Sequence, residues 1–236
     1  MTPRTPVFIV TSPRPRVGKT LLSRALTEYF LAQQRPVAAF DVNPDSFSLV
    51  DRLPAYTAAA SIADTRGEMA LFDQLVVNDN VPKVVDLGHA MFDRFFAVMQ
   101  DTGFEREARR RGVLPAVLYL PDPDERARQG YAMLTARFPD LPIVPVFNEA
   151  VPQIARCREH FPPAPRGGQP VTVPALTPVP RSVIERKGFT FLGYVSSITD
   201  TTSELYEWTK RVFVTFRDIE VRMLLGEIRP GLKRVG

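Results

Sequence analysis

The residues Gly18-Lys19-Thr20 near the N-terminus have the types and order that bind the phosphates of a nucleotide. Backbone N–H groups around such a glycine, and at the start of a following helix, can hold phosphate oxygens. The lysine then contacts the terminal phosphates, and the threonine hydroxyl reaches a bound Mg²⁺. We therefore predict that Thr20 is a metal ligand. The predicted phosphate contacts come from Arg16, Val17, Gly18, Lys19 and Thr20.

Two prolines depart from the usual form of this loop. The pattern G-x-x-x-x-G-K-[ST] has glycine where Pro13 stands, and Pro15 has no backbone N–H to offer. The backbone donors nearest the triplet, on residues 16–20, are still present. We expect phosphate binding that is weaker than in the usual loop but not lost.

A carboxylate lies near the end of the apolar segment Lys83–Leu87, and Gly88 follows that segment directly. An aspartate in this position is typical of a residue that reaches Mg²⁺ through water, so Asp86 is the second predicted metal residue. Gly88 can let its backbone N–H approach a γ-phosphate. The alternative for Asp86 is that it caps the next helix.

Polar residues follow two further apolar segments. Asp41 and Asn43 come after residues 37–40, and Asn148 comes after residues 143–147. Asn148 can hydrogen-bond the edge of a base. Asp41 can contribute to the same site or, together with Asn43 and Pro44, can simply form a turn.

Apolar segments and helical patterns alternate along most of the chain, which indicates a parallel sheet covered by helices on both faces. We predict an α/β fold: a single doubly wound domain with a mainly parallel sheet flanked by helices, of P-loop NTPase type. Ligands of such sheets bind at the carboxyl ends of the strands, where the polar residues above converge. The predicted strands are residues 7–10, 37–40, 83–87, 116–120, 143–147 and 171–173, the last within a loop over residues 161–180.

Composition limits the remaining possibilities. A chain of 236 residues with 44% hydrophobic content suits one domain over residues 1–236, with 228–236 as a short basic tail. Cys157 is the only cysteine, so the chain can form no internal disulfide and no cysteine-ligated cluster of its own. No apolar run approaches the roughly 18 residues of a transmembrane segment, and we expect a cytoplasmic protein.

Together these segments resemble the ParA/MinD family of deviant Walker A ATPases over most of the chain. The family loop K-G-G-x-G-K-T falls on residues 14–20, and its D-x-D-P-Q segment falls on residues 41–45. The resemblance implies that ATP and Mg²⁺ bind and that the nucleotide drives homodimerisation. It gives Arg14 the place of the lysine that reaches the partner's phosphates. It also assigns catalytic roles to Lys19, Asp41 and Asn43, the reading of adenine to Asn148, and a place beside the base to Pro174.

One departure bears on turnover. Asn43 stands where the family has an aspartate that helps activate the attacking water, and a neutral amide cannot accept the water's proton. We expect weak ATPase activity at most. A non-hydrolysing nucleotide-binding adaptor is the first alternative. The second is an ATP-dependent ligase similar to dethiobiotin synthetase, whose loop G-T-D-T-x-V-G-K-T also resembles residues 10–20, although its Lys-Pro segment is not matched at residues 41–44.

Two surface patterns indicate partners less specifically. A basic cluster at Arg106, Arg109, Arg110 and Arg111 can contact a protein or DNA, or can be a solvated helix face. A long helix over residues 202–225 carries an apolar stripe, for which packing against the core is favoured over contact with a membrane surface. That stripe consists of Val212, Phe213, Phe216, Ile219, Met223 and Leu224.

Overall fold

The sheet consists of seven parallel strands in the order β3-β2-β4-β1-β5-β6-β7. The computed structural model describes residues 4–44, 48–164, 166 and 169–228, with side chains described through residue 225. The predicted α/β class and the parallel sheet flanked by helices are confirmed. The strands are β1 (Thr5–Thr11), β2 (Ala38–Val42), β3 (Thr57–Ala59), β4 (Lys83–Leu87), β5 (Val113–Tyr119), β6 (Ile143–Asn148) and β7 (Val171–Val173).

The central strands are mainly apolar because helices cover both faces of the sheet. Every residue of β1, β4 and β5 is buried, as is typical of parallel strands with two covered faces. The helices are α1 (Lys19–Ala32), α2 (Ser48–Arg52), α3 (Thr65–Leu75), α4 (Phe92–Asp101), α5 (Phe104–Arg111), α6 (Glu125–Arg137), α7 (Pro178–Ile184), α8 (Phe191–Ser197) and α9 (Glu204–Ile228). Within the described ranges, 3₁₀ helices cover His89–Met91 and Ile154–His160.

The register of neighbouring strands brings the predicted polar residues to one edge of the sheet. Asp41 of β2 lies directly opposite Asp86 of β4. On the other side of β4, Val10 of β1 lies opposite the same aspartate. Because all the strands are parallel, the β1–α1 loop and the ends of β2, β4 and β6 share the carboxyl edge of the sheet.

Several boundaries differ from the sequence-based prediction. β2 continues to Val42 because its ladder with β4 extends to Leu87, so Asp41 lies within the strand and not after it. The short strand Thr57–Ala59 was not predicted: two of its three residues are exposed, which leaves it no apolar pattern. Residues 178–180, predicted as loop, begin helix α7. Of the predicted tail, Ile228 ends α9, while residues 229–236 lie outside the described residues.

The long C-terminal helix packs against the core, as the prediction favoured. Val212, Phe216, Ile219 and Met223 are buried, whereas Leu224 is 41% exposed. Among the described residues, no helix combines the length and the apolar character that crossing a membrane requires.

Candidate functional site

A cavity of about 520 Å³ opens at the carboxyl edge of the sheet, beside the β1–α1 loop. Five of the predicted site residues do not line it: Arg14, Val17, Asp41, Asp86 and Gly88. The predicted residues that do line it are Arg16, Gly18, Lys19, Thr20, Asn43, Asn148 and Pro174.

The β1–α1 loop has a backbone shaped for close approach. Gly18 precedes α1 with a φ of 98°, a conformation that side chains disfavour, and its missing Cβ would lie 2.5 Å from Nδ2 of Asn148. Arg16 has a φ of 61°, so it keeps the left-handed conformation that glycine would adopt easily, at a cost of about 1–2 kcal/mol. No acidic residue and no side-chain cap occupies the start of α1. Its first N–H groups are therefore available to an anion.

Pro13 is accommodated by a glycine on another helix. A Cβ on Gly130 of α6 would lie 3.0 Å from Cγ of Pro13, 3.1 Å from the hydroxyl of Tyr119 and 3.2 Å from the ring of Phe92. The absence of a side chain at position 130 thus leaves room for the proline. The proline that departs from the usual loop pattern is packed into the core.

The Lys19 side chain folds back over its own loop. Its Nζ donates a 2.6 Å hydrogen bond to the carbonyl oxygen of Arg14, and the residue is only 8% exposed. Burial lowers the pKa of Lys19 from 10.5 to about 8, while the nearby Asp86 carboxylate opposes that shift. The lysine is therefore mainly protonated at neutral pH, and it lines the cavity.

Asp86 is fully buried and held by two hydroxyl groups of α1. The hydroxyl of Thr20 donates to Oδ2 at 2.7 Å, and that of Ser23 donates to Oδ1 at 3.1 Å. Burial raises the pKa of Asp86 from 3.8 to about 6, assisted by the neighbouring Asp41, while the two hydroxyls and Lys19 act in the opposite direction. Among the described residues no group of three or more His, Cys, Asp and Glu side chains could hold a metal by itself. A cation here would need ligands from something bound.

Asp41 stabilises the start of helix α2 from within β2. Its Oδ2 accepts hydrogen bonds from the backbone N–H groups of Leu49 at 2.8 Å and Val50 at 3.2 Å. Its Oδ1 accepts from Nδ2 of Asn43 at 2.6 Å. Both carboxylate oxygens are therefore used in positioning the segment that follows β2. Asp45, which the sequence analysis matched to the same motif, lies outside the described residues.

Asn43 and Gly88 meet where β2 and β4 end. Asn43 Nδ2 also lies 3.3 Å from both the carboxylate Oδ2 and the carbonyl oxygen of Asp86. A Cβ on Gly88 would lie 2.6 Å from Oδ1 of Asn43 and 2.9 Å from the carbonyl of Val42. The N–H of Gly88 donates to that same carbonyl at 3.0 Å. In this conformation the predicted γ-phosphate donor is already hydrogen-bonded within the protein.

Asn148, the last residue of β6, forms a hydrogen bond to the β1–α1 loop. Its Nδ2 donates to the carbonyl of Val17 at 2.9 Å, and its Oδ1 accepts from the N–H of Ala150 at 3.0 Å. A primary amide has two N–H donors and two acceptor lone pairs, so half of its hydrogen-bonding capacity remains. Asn148 lines the cavity and still has groups that a base edge could use.

Arg14 does not line the cavity and pairs with Asp124. Its Nε lies 3.5 Å from Oδ1 of Asp124, and these two side chains are 38% and 37% exposed. Asp124 also caps helix α6 by accepting from the N–H of Arg126. The carboxylate thus holds the arginine on the protein surface beside the loop.

The structure adds residues that sequence reasoning missed. Ser48 lines the cavity and donates a 3.3 Å hydrogen bond to the hydroxyl of Thr20. Trp208 of α9 also lines it, and its indole N–H donates to the carbonyl of Pro174 at 2.7 Å. Other wall residues are His89, Leu176, Arg181, Ile184 and Glu185. The position of Ser48 shortly after the Asp41 segment was a usable signal, whereas nothing local marked Trp208.

The basic cluster of α5 is partly neutralised by nearby acidic side chains. Arg110 and Arg111 both pair with Glu107, and Arg109 pairs with Glu105 at 3.1 Å and with Asp140 at 3.8 Å. These contacts favour the interpretation of the cluster as a solvated helix face.

The fold and the site define an α/β protein with a doubly wound parallel sheet and a cavity of mixed polar and apolar lining at its carboxyl edge. No protein-family model matches the chain, and no curated protein matches it.

Proposed function

We propose that the protein binds Mg²⁺·ATP in this cavity, as a P-loop nucleotide-binding protein of the ParA/MinD type. One observation carries the proposal: Lys19 and Thr20 follow the left-handed Gly18 at the start of α1, and the hydroxyl of Thr20 bonds to the buried Asp86. The cavity contains a cation and a helix start without a cap, and Thr20 of its lining bonds to a buried carboxylate. This arrangement matches the charge pattern of a metal-bound triphosphate.

Bound phosphates would neutralise the positive charge of Lys19. In the structure this buried cation contacts a carbonyl oxygen, a neutral partner that offsets little of its lost hydration. Bound β- and γ-phosphates offer full negative charge at the same place, so the cation would exchange a neutral acceptor for an oppositely charged one. Backbone N–H groups of residues 16–20 complete the phosphate site.

The residues present fit a magnesium ion. Mg²⁺ takes oxygen ligands, commonly one or two carboxylates together with the phosphates of the substrate. In the proposed complex Thr20 and Asp86 hold it, with the hydroxyl of Ser48 close by. The ion supplies neutralisation of the phosphate charge.

Hydrolysis is slow in this proposal, because neither Asn43 nor Asp41 offers the attacking water an uncommitted carboxylate. Asn43 is an amide, and both oxygens of Asp41 already accept hydrogen bonds. The bound nucleotide then acts mainly by setting the oligomeric state of the protein. ATP, in contrast to ADP, promotes a homodimer in which Arg14 contacts the partner's phosphates, and the dimer recruits or positions a further protein or DNA.

A non-hydrolysing adaptor is the second candidate, and the orientation of Asn43 supports it. An amide that donates to Asp41 contributes to the architecture of the site with no need for turnover. The two candidates share nucleotide binding and differ in phosphate release, which is measured directly with ATP and Mg²⁺.

Calorimetric titration with ATP and ADP, each with Mg²⁺, tests the proposal, followed by measurement of molar mass in each state. Wild-type protein should bind both nucleotides, and Lys19→Ala should remove detectable binding because the loop loses its buried cation. Lys210→Ala, at a lysine of α9 outside the site, is the matched control and should bind like wild type. Absence of binding by wild type at millimolar nucleotide would refute the proposal.

A further inference from the structure

A buried ion pair lies on α1, close behind the proposed phosphate site. Arg24 and Glu28 are 3% and 1% exposed, and Nε of the arginine lies 3.3 Å from Oε1 of the glutamate. Removing two charges from water costs more than their attraction returns unless further hydrogen bonds satisfy both groups. The remaining partners of this pair therefore indicate what it holds in place.

The backbone partners named below all lie between the end of α7 and the start of α8. Arg24 donates to the carbonyl of Ile184 at 2.8 Å and to the carbonyl of Phe189. Glu28 accepts from the N–H of Leu192 at 2.8 Å. Backbone groups at both ends of residues 184–192 are thus attached to the helix that begins with Lys19.

The same arginine contacts the rings that support the cavity wall. Its guanidinium lies 5.1 Å from the ring centroid of Phe189 and 5.2 Å from that of Phe191. Phe191 stacks on Trp208 with a centroid separation of 5.5 Å and an interplanar angle of 25°. Trp208 in turn donates to the carbonyl of Pro174. The contacts run without a break from α1 to two residues that line the cavity.

A second arginine reaches the segment from α2. Arg52 donates to the carbonyl oxygens of Glu185 at 2.8 Å and Arg186 at 3.3 Å, and to the carboxylate of Glu185 at 2.6 Å. Helix α2 is the one whose start is held by Asp41. The C-terminal end of α7 is therefore fixed by one buried and one partly exposed arginine, on separate helices.

We propose that Arg24 and Arg52 are positioning residues for the base wall, defined here as Pro174, Leu176, Ile184, Glu185 and Trp208. They make the cavity prefer a nucleoside triphosphate to a bare triphosphate. Neither arginine lines the cavity, so both act through the wall. The inference rests on the proposed function, because it takes the β1–α1 loop as the phosphate site and the wall as the surface that receives base and ribose.

The physical reason is the division of the cavity into two parts. Charge and backbone donors of the loop hold phosphates without help from the wall. Base binding depends on apolar and aromatic surface kept in a fixed place, since a wall that must be ordered on binding lowers the affinity. Loss of either arginine should therefore weaken ATP binding and leave triphosphate binding unchanged.

The test compares Mg²⁺·ATP with Mg²⁺·tripolyphosphate by calorimetry on the full chain. Arg52→Ala should weaken ATP binding about ten-fold while tripolyphosphate affinity stays within about two-fold of wild type. The double variant Arg24→Met/Glu28→Gln, which leaves no unpaired buried charge, should do the same. Emission of Trp208, the only tryptophan in the chain, should respond to ATP in wild type and less in either variant.

Arg35→Ala is the matched control. Arg35 lies just beyond the C-terminal end of α1 and pairs with Glu220 of α9 at 2.7 Å. Its loss therefore removes an ion pair that does not involve residues 184–192. It should leave the ratio of the two affinities unchanged. Thermal melting establishes that each variant is folded, and Arg52→Ala decides the question if the double variant is not.

The outcomes separate the inference from the proposed function. If Arg52→Ala lowers the affinities for ATP and tripolyphosphate equally, or lowers neither, the role of the base wall is overturned. The proposal that the protein binds ATP is not affected by either result. Tripolyphosphate binding as tight as ATP binding in wild type also overturns the role of the base wall. Wild type that binds neither ligand overturns both proposals.

Discussion

Asn43 donates a hydrogen bond of 2.6 Å to Asp41, two residues before it, and this bond sets the orientation of its amide. The same nitrogen lies 3.3 Å from Oδ2 of Asp86. An amide is therefore the donor between two buried carboxylates. A carboxylate at position 43 would face both of them without a proton to share.

Asn43→Asp should have opposite effects on stability and on catalysis. Without Mg²⁺ the melting temperature should fall, because three carboxylates would lie together with fewer donors. With Mg²⁺ and ATP, kcat should rise by about ten-fold or more, within the usual contribution of a general base. Melting curves with and without Mg²⁺ and phosphate release under saturating ATP measure the two effects.

Asn80→Asp, in an exposed turn with a φ of 61°, is the control for adding a negative charge. An unchanged kcat in Asn43→Asp would mean that the proline-containing loop limits the chemistry. A wild-type rate on the order of 1 s⁻¹, at the lower end of typical enzymes, would contradict the role assigned to Asn43.

ATP binding should take up protons at alkaline pH. The pKa of Lys19 in the free protein is about 8, lowered mainly by burial, so a growing fraction of lysines is neutral as pH rises through that value. Bound phosphate favours the charged form and raises the pKa again. Calorimetry at pH 8.5 in two buffers of different ionisation enthalpy should detect a fractional proton uptake that is nearly absent at pH 6.5–7. Binding at pH 8.5 without proton uptake would exclude Lys19 as the phosphate-contacting cation.

Asp86→Asn should stabilise the protein and should lower the part of its ATP affinity that depends on Mg²⁺. The folded-state pKa of Asp86 is raised from 3.8 to about 6, mainly by burial. Its protonated form therefore stabilises the fold fully below about pH 4, and that contribution is lost as pH rises through 6. Above pH 6 the variant should gain on the order of 3 kcal/mol in unfolding free energy without Mg²⁺, following from the size of the shift.

The pH dependence of that gain is the diagnostic for Asp86. Denaturant unfolding should show the difference between variant and wild type shrinking below pH 6. The variant should also lose the Mg²⁺-dependent part of its ATP affinity. A variant that is less stable than wild type at pH 7 would contradict the assigned cost of the buried charge.

Arg14→Ala should bind ATP and remain monomeric. Two nucleotides that face each other across a dimer repel unless cations from the opposite protomers meet them, and Arg14 is the proposed cation. Because its guanidinium pairs with Asp124 in the structure, Asp124→Ala should release it and strengthen ATP-dependent dimerisation. Light scattering with ATP measures both effects. The same mass for wild type and Arg14→Ala would remove the arginine from this role.

Local patterns in the sequence were sufficient for the fold class and for the strand–loop–helix segment around Gly18. Strands such as β5 and β6 are mainly apolar segments, because both faces of a parallel strand inside the sheet are covered. The left-handed Gly18 and the helix after it are properties of a few adjacent residues. Such features are encoded within one or two turns of chain, so a single sequence reveals them.

Tertiary structure decided what each polar residue contacts. Strand β3 exists because three residues pair with β2, although their own pattern does not mark them as a strand. Asp41 caps a helix that begins seven residues later, and Trp208 meets Pro174, which lies 34 residues earlier in the chain. Helical spacing predicts the pairing of Arg24 and Glu28. It does not predict that both are buried or that they hydrogen-bond the backbone of residues 184–192. Contacts between residues distant in sequence depend on how the helices pack around the sheet, and no local periodicity carries that information.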